Sequence, residues 1–101
     1  MYYIYILYSA GSDKYYLGYS SDFQRRLRAH NTQEHFNTYT SKHRPWELVA
    51  VFEVGPVEAE AIRIERFIKK QKSRTLIKTM VESETLDGLL AQLVRVPDVR
   101  D

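Results

Sequence analysis

Arg26 and His30 stand four positions apart, a spacing that puts a guanidinium and an imidazole on one face of a helix. Arginine grips phosphate oxygens with paired N–H groups, and histidine takes up or releases a proton near neutral pH. Tyr5 and Tyr16 lie in Tyr/Ile/Leu runs that favour strands. On adjacent strands their side chains could face one common site. A phenol does acid–base work when a cation or metal lowers its pKa. Glu65 is the single acid between Arg63 and Lys78, among Arg63, Arg66, Lys69, Lys70, Lys72, Arg74 and Lys78. One carboxylate can hold a hard divalent ion together with water and substrate phosphate.

Each of these residues also has a plainer use. Most of the eight tyrosines suit strand packing. Arg26 and His30 flank the apolar pair Phe23 and Leu27, where a surface arginine and a half-buried histidine are ordinary. Glu65 is four residues before Lys69, the favourable order for an intrahelical ion pair. Gly18 inside an apolar strand marks either a bulge or a close approach, such as backbone clearance for a phosphate. The basic stretch is either a solvated helix face or, with Lys42 and Arg44, a surface for phosphates.

The elements that must position these groups follow the chain. Tyr2 to Tyr8 is apolar or aromatic on both alternating faces, which predicts a central strand. Ala10-Gly11-Ser12-Asp13 is a turn, and Lys14 to Tyr19 returns as the second strand of a hairpin. Ser21, with Gln24 three residues on, predicts a capped helix to about Asn31. The stretch from Thr32 to Arg44 is polar and irregular, and Trp46 to Glu53 reads as a third strand. Pro56 suits the first position of a helix from about Val57 to Gln71, with Val57, Ala61, Ile64 and Ile68 as its apolar stripe. Ser73 caps a run to about Val81. Thr85 would cap a last helix with the stripe Leu86, Leu89, Leu90 and Leu93, and Pro97 would end it before a loose tail. The expectation is one α+β domain, with a small three-stranded antiparallel sheet flanked by helices. Residues 1–83 carry the functional unit, and 84–101 add a terminal helix and tail.

With 101 residues, 44% of them hydrophobic, the chain can bury one core. The absence of cysteine excludes disulfide scaffolds and thiolate metal sites, and the three histidines lack zinc-like spacing. No apolar run approaches a membrane span and no signal peptide is evident, which predicts a cytoplasmic protein. A net charge of +2 says little about partners; the clustering of bases says more.

The run Tyr15-Tyr16-Leu17-Gly18-Tyr19-Ser20-Ser21-Asp22-Phe23-Gln24-Arg25-Arg26-Leu27, the first strand Tyr3-Ile4-Tyr5, the segment Arg44-Pro45-Trp46-Glu47-Leu48-Val49 and the helix Ala61-Ile62-Arg63-Ile64-Glu65 resemble the GIY-YIG nuclease superfamily. The likeness covers roughly Tyr2 to Val81 and is greatest to small stand-alone bacterial members. Tyr3 stands where the first motif has glycine, and Leu17 where the second has isoleucine. Many members carry a polar residue, often Asn, after the glutamate helix, and no Asn follows Asn37 here. The resemblance implies Tyr5, Tyr16, Arg26, His30 and Glu65 as the catalytic set. Glu65 would hold a single Mg²⁺ or Mn²⁺, and Gly18 would be the second motif's glycine. It implies hydrolysis of phosphodiester bonds in DNA, with RNA left open, in repair or recombination. Nucleic acid would meet Gly18, Lys42, Arg44, Arg66, Lys69, Lys70 and Lys72. Which tyrosine acts as base stays open. A chain this small implies low sequence specificity, unless a protein partner or homodimer adds some. The main rival is a non-catalytic nucleic-acid-binding module in which Tyr15, Tyr16 and Tyr19 form a stacking platform. A third reading is a partner-binding protein that uses the leucines from Leu86 to Leu93.

Overall fold

The computed structural model describes residues 1–33, 37–83, 86 and 88–97. Strand β1 (Tyr2–Ser9) turns into β2 (Lys14–Ser20), followed by α1 (Phe23–Thr32) and the single-turn α2 (Thr38–Ser41). Strand β3 (Glu47–Gly55), α3 (Glu58–Lys70) and α4 (Arg74–Glu82) come next. A 3-10 turn (Gly88–Gln92) and the two-residue β4 (Val94–Arg95) close the described chain. The sheet order is β2-β1-β3-β4, antiparallel throughout, so β1 is central as its two apolar faces require.

Strand alternation sorts the core into two layers. Ile4, Ile6, Leu17, Val49, Ala50 and Phe52 pack against Ile64 and Ile68 of α3 and Met80 of α4. Tyr5, Leu7, Leu48 and Val51 pack on the other face with Trp46, and there Tyr3, Tyr16, Phe23 and Leu27 close the layer. Helix α1 therefore covers the face that carries Tyr5 and Tyr16. Asn31, in its last turn, fastens Trp46 like a strand partner. Its Oδ1 accepts from the Trp46 amide at 2.6 Å and its Nδ2 donates to the Trp46 carbonyl at 2.9 Å.

Several boundaries differ from expectation for local reasons. Asp22, not Ser21, caps α1: its Oδ1 accepts from the Arg25 amide at 3.0 Å, so the helix begins one residue later. Helix α3 starts at Glu58 behind Val57, which leaves Pro56 outside it. Its first-turn acids Glu58 and Glu60 complement the helix dipole without a side-chain cap. Val57, 53% exposed, drops out of the stripe that Ala61, Ile64 and Ile68 form. Ser73 does cap α4, accepting from the Leu76 amide at 3.0 Å.

The expected terminal helix is instead a 3-10 turn and a fourth strand. Gly88 has φ +64°, a left-handed conformation that a right-handed helix cannot pass through. Leu90 and Leu93 still reach the core, with Leu86 packed against it. Strand β4 pairs Arg95 with Phe52 and Val94 with Glu53, covering the β3 edge. The expected cap Thr85 and the tail after Pro97 lie outside the described residues.

Candidate active site

Tyr5 sits opposite Gly18 in the β1–β2 register. A Cβ on Gly18 would fall 2.6 Å from the Tyr5 hydroxyl oxygen and 2.7 Å from Cζ. Real Cβ atoms do not approach that closely, so the glycine is there for the phenol that lies across it. The β1–β2 pairing runs without a register shift, and Gly18 is therefore no bulge. The clearance read as room for a phosphate is filled by Tyr5.

Tyr5 is fully buried, and so are His30 and Thr40. The Tyr5 hydroxyl is 3.0 Å from His30 Nε2, and His30 Nδ1 is 2.9 Å from Thr40 Oγ1. Thr40 Oγ1 in turn donates to the Asn37 carbonyl at 3.4 Å. At the other end, the Arg26 guanidinium lies beside the Tyr5 phenol, where its donor N–H groups and its charge act to lower the phenol's pKa. The donor inventory of these groups fixes the direction of the chain. A guanidinium only donates, so toward Arg26 the Tyr5 oxygen can only accept, and the phenol's own proton is left for His30 Nε2. A carbonyl only accepts, so Thr40 spends its proton on Asn37 and accepts from His30 Nδ1–H. Both ends demand the same tautomer, with the His30 proton on Nδ1. Burial, helped by the Arg26 and Arg44 charges, lowers the His30 pKa to about 4, which keeps the ring neutral and supports a single ring proton. Burial likewise raises the Tyr5 pKa to about 12, against the opposing effect of Arg26.

Tyr16 lies on the same face, its ring centroid 6.5 Å from that of Tyr5 and 4.7 Å from that of His30. Its hydroxyl accepts from Asn37 Nδ2 at 3.4 Å and keeps its own proton to donate. It is only partly buried. Burial raises its pKa, and the nearby Glu65 carboxylate raises it further, while Arg26 opposes.

Glu65 is on α3, which packs against the other layer. Lys69, one turn on, holds its Nζ 5.4 Å from the Tyr16 ring centroid, so this side of α3 lies along the outer edge of β2. The Glu65 side chain is 17% exposed and receives Lys69 Nζ at 3.5 Å. The ion pair and the site thus share one carboxylate. Its charge acts on Tyr5, Tyr16 and Tyr19.

Of the residues expected to meet nucleic acid, Lys69 and Lys72 line a cleft beside Tyr16, and Lys42, Arg66 and Lys70 are exposed. Gly18 is taken up by Tyr5. Arg44 is occupied differently: its guanidinium donates to the backbone carbonyls of His30 (2.6 Å) and Gln33, tying the end of α1 to the approach to β3. Tyr15 and Tyr19 pack on the α3 side of the sheet and Tyr16 on the α1 side, because strand neighbours alternate. The three cannot make one stacking platform. Asn37 and Thr40 also belong to the site, although the sequence from Thr32 to Arg44 looks irregular. The signal was present: Asn37 caps α2 by accepting from the Thr40 amide at 3.0 Å, the three-residue spacing typical of an N-cap.

The four-stranded antiparallel α+β domain thus gathers Tyr5, Tyr16, His30 and Arg26 on one side of the β1–β2 hairpin, with the Glu65 charge acting on both tyrosines. The model of the GIY-YIG catalytic domain family matches residues 1–79, and the chain belongs to that family. It is also similar to the structure-specific endonuclease subunit SLX1 of Meyerozyma guilliermondii, 34% identical over 74 residues. That match takes in 69% of this chain and 25% of the relative, so the chain spans about a quarter of the relative's length.

Proposed function

We propose that this domain is an endonuclease that hydrolyses phosphodiester bonds in DNA with little sequence specificity. The observation that carries this is the placement of Glu65: a mostly buried carboxylate whose charge acts on both Tyr5 and Tyr16, near Arg26. A module that only binds nucleic acid gains nothing from an acid there. The relative's name, a structure-specific endonuclease subunit, supports the same class of chemistry and a setting in repair or recombination. The word subunit favours a protein partner as the source of further selectivity. Among the described residues no helix is long and apolar enough to cross a membrane, in keeping with a cytoplasmic setting.

Glu65 is the residue that would hold one divalent cation, Mg²⁺ or Mn²⁺. No three acidic or histidine side chains cluster among the described residues, so water and phosphate would supply most of the ion's ligands. That donor set suits Mg²⁺, and the carboxylate already attracts one positive charge, that of Lys69. When bound, the ion would supply charge neutralisation at the scissile phosphate and leaving oxygen.

The side chains divide the remaining work. Arg26, held by Tyr5, donates to the phosphate and stabilises the added negative charge of the transition state, an effect of about 3 kcal/mol. Tyr5 is fully buried with its proton directed at His30, which makes it a support for Arg26. Tyr16 reaches solvent and retains its proton to donate, so it is the tyrosine that meets the attacking water. Its raised pKa means that it orients the water as a phenol, and removes a proton only where added positive charge brings that pKa down.

The test is nicking of plasmid and branched DNA in Mg²⁺ or Mn²⁺. Glu65→Ala is expected to fall to background and Arg26→Ala by about 100- to 1,000-fold. Equal cleavage by wild type and both variants would sink the assignment.

A further inference from the structure

A cleft of about 330 Å³ opens between the start of β2 and the junction of α3 with α4. Tyr39 forms part of its wall, with Tyr16, Lys14, Lys69, Lys72 and Arg74. Nothing in the chemistry above uses Tyr39, yet the residue is 42% exposed and its ring is well held. Trp46 and His43 back it, with ring centroids at 6.1 and 5.0 Å. It lies 30° from parallel to Tyr16 at 6.3 Å.

The charges around the cleft are unevenly matched. Arg74 is tied to Asp13 at 2.6 Å and Lys69 to Glu65 at 3.5 Å. Lys14 and Lys72 form no ion pair among the described residues. The occupant that suits such a wall carries negative charge and a flat apolar face. An acidic peptide meets the first requirement but not the second; a nucleotide meets both. Position narrows it further. Lys69 is four residues from Glu65, about 6 Å along the helix, which is the reach to a nucleotide next to the one being cut. In a duplex the base faces are covered by their neighbours, so the Tyr39 ring is open only to an unpaired base.

We propose that this cleft receives an unpaired nucleotide adjacent to the scissile phosphate, its base stacked on Tyr39 and its backbone held by Lys14 and Lys72. The proposal rests on the endonuclease reading and adds a specificity residue to it: a strand that is single-stranded on that side of the cut is preferred over fully paired duplex.

A duplex with a single-stranded arm carrying 2-aminopurine at its first unpaired position tests this. The arm is mixed with the Glu65→Gln protein, which cannot cleave it. Stacking on Tyr39 is expected to quench the fluorescence. Quenching should vanish in Glu65→Gln/Tyr39→Leu, which keeps apolar bulk against Trp46, and persist in Glu65→Gln/Tyr39→Trp. In the cleaving background, Tyr39→Leu should slow cutting of the armed substrate about 10- to 100-fold and leave the rate on fully paired duplex unchanged. Quenching that survives in the leucine variant overturns the proposal, whether or not DNA is cut. An equal loss of rate on both substrates also overturns it. A wild type that cuts neither substrate refutes the endonuclease reading, while Tyr39-dependent quenching still upholds the cleft.

Discussion

Tyr5 and Tyr16 share a residue type, a strand setting and a face of the sheet, yet their surroundings give them different work. Tyr5 is walled in beneath Gly18 and gives its proton to His30; Tyr16 is anchored by Asn37 and reaches water. What separates them is a relay that runs through Thr40, a residue of no evident chemistry, to the Asn37 carbonyl. Thr40→Val keeps the shape but removes the acceptor for His30 Nδ1–H. It is expected to cost about 1–3 kcal/mol through the buried donor left unpaired, and Thr40→Ser should recover most of it. Nitrogen-15 NMR of the His30 ring in the wild type should show the proton on Nδ1 near neutral pH. A proton on Nε2 would contradict the direction assigned to the whole relay.

At the scale of elements, register matters more than helix or strand type. The β1–β2 pairing brings Gly18 against Tyr5, and a one-residue slip would turn both tyrosines to the opposite face. Gly18→Ala is a direct probe of that pairing. The added methyl meets a rigid, fully buried ring rather than the end of a flexible chain. The expected loss is about 1–3 kcal/mol in urea unfolding, with weaker cleavage as Tyr5 is pushed off Arg26. Pairing the change with Tyr5→Leu should restore part of the stability and none of the activity. An alanine variant as stable as wild type would show that the strands relax apart more readily than this packing allows. Helix α2, a single turn, contributes out of proportion to its length: Asn37 at its cap holds Tyr16, and Thr40 inside it holds His30.

For the molecule as a whole, a formal charge of +2 hides a sided distribution. Asp13, Glu60 and Glu65 pair with Arg74, Arg63 and Lys69, leaving Lys14 and Lys72 at the cleft to meet phosphates. Affinity for a single-stranded oligonucleotide should therefore fall with salt, by a log–log slope of about −0.7 per phosphate contacted. Lys72→Ala should flatten that slope by roughly one contact. The same slope in wild type and variant would mean that phosphates bind elsewhere.

The hairpin, the central place of β1 and the apolar side of α3 could all be read from residue order, because hydrophobic alternation and i,i+4 spacing are local properties that survive in any context. Boundaries were less secure where two polar residues competed for one cap, as Ser21 and Asp22 did, or where a strand was two residues long, as Val94–Arg95 is. The sequence alone thus determined which side chains could meet. Tertiary structure alone decided that Gly18 yields its space to Tyr5, that Arg44 is spent on backbone carbonyls, that Tyr15 and Tyr19 face away from Tyr16, and that Asn37 and Thr40 orient the tyrosines. Each of those facts depends on contacts between distant segments, which cross-strand register and burial set and no local pattern encodes.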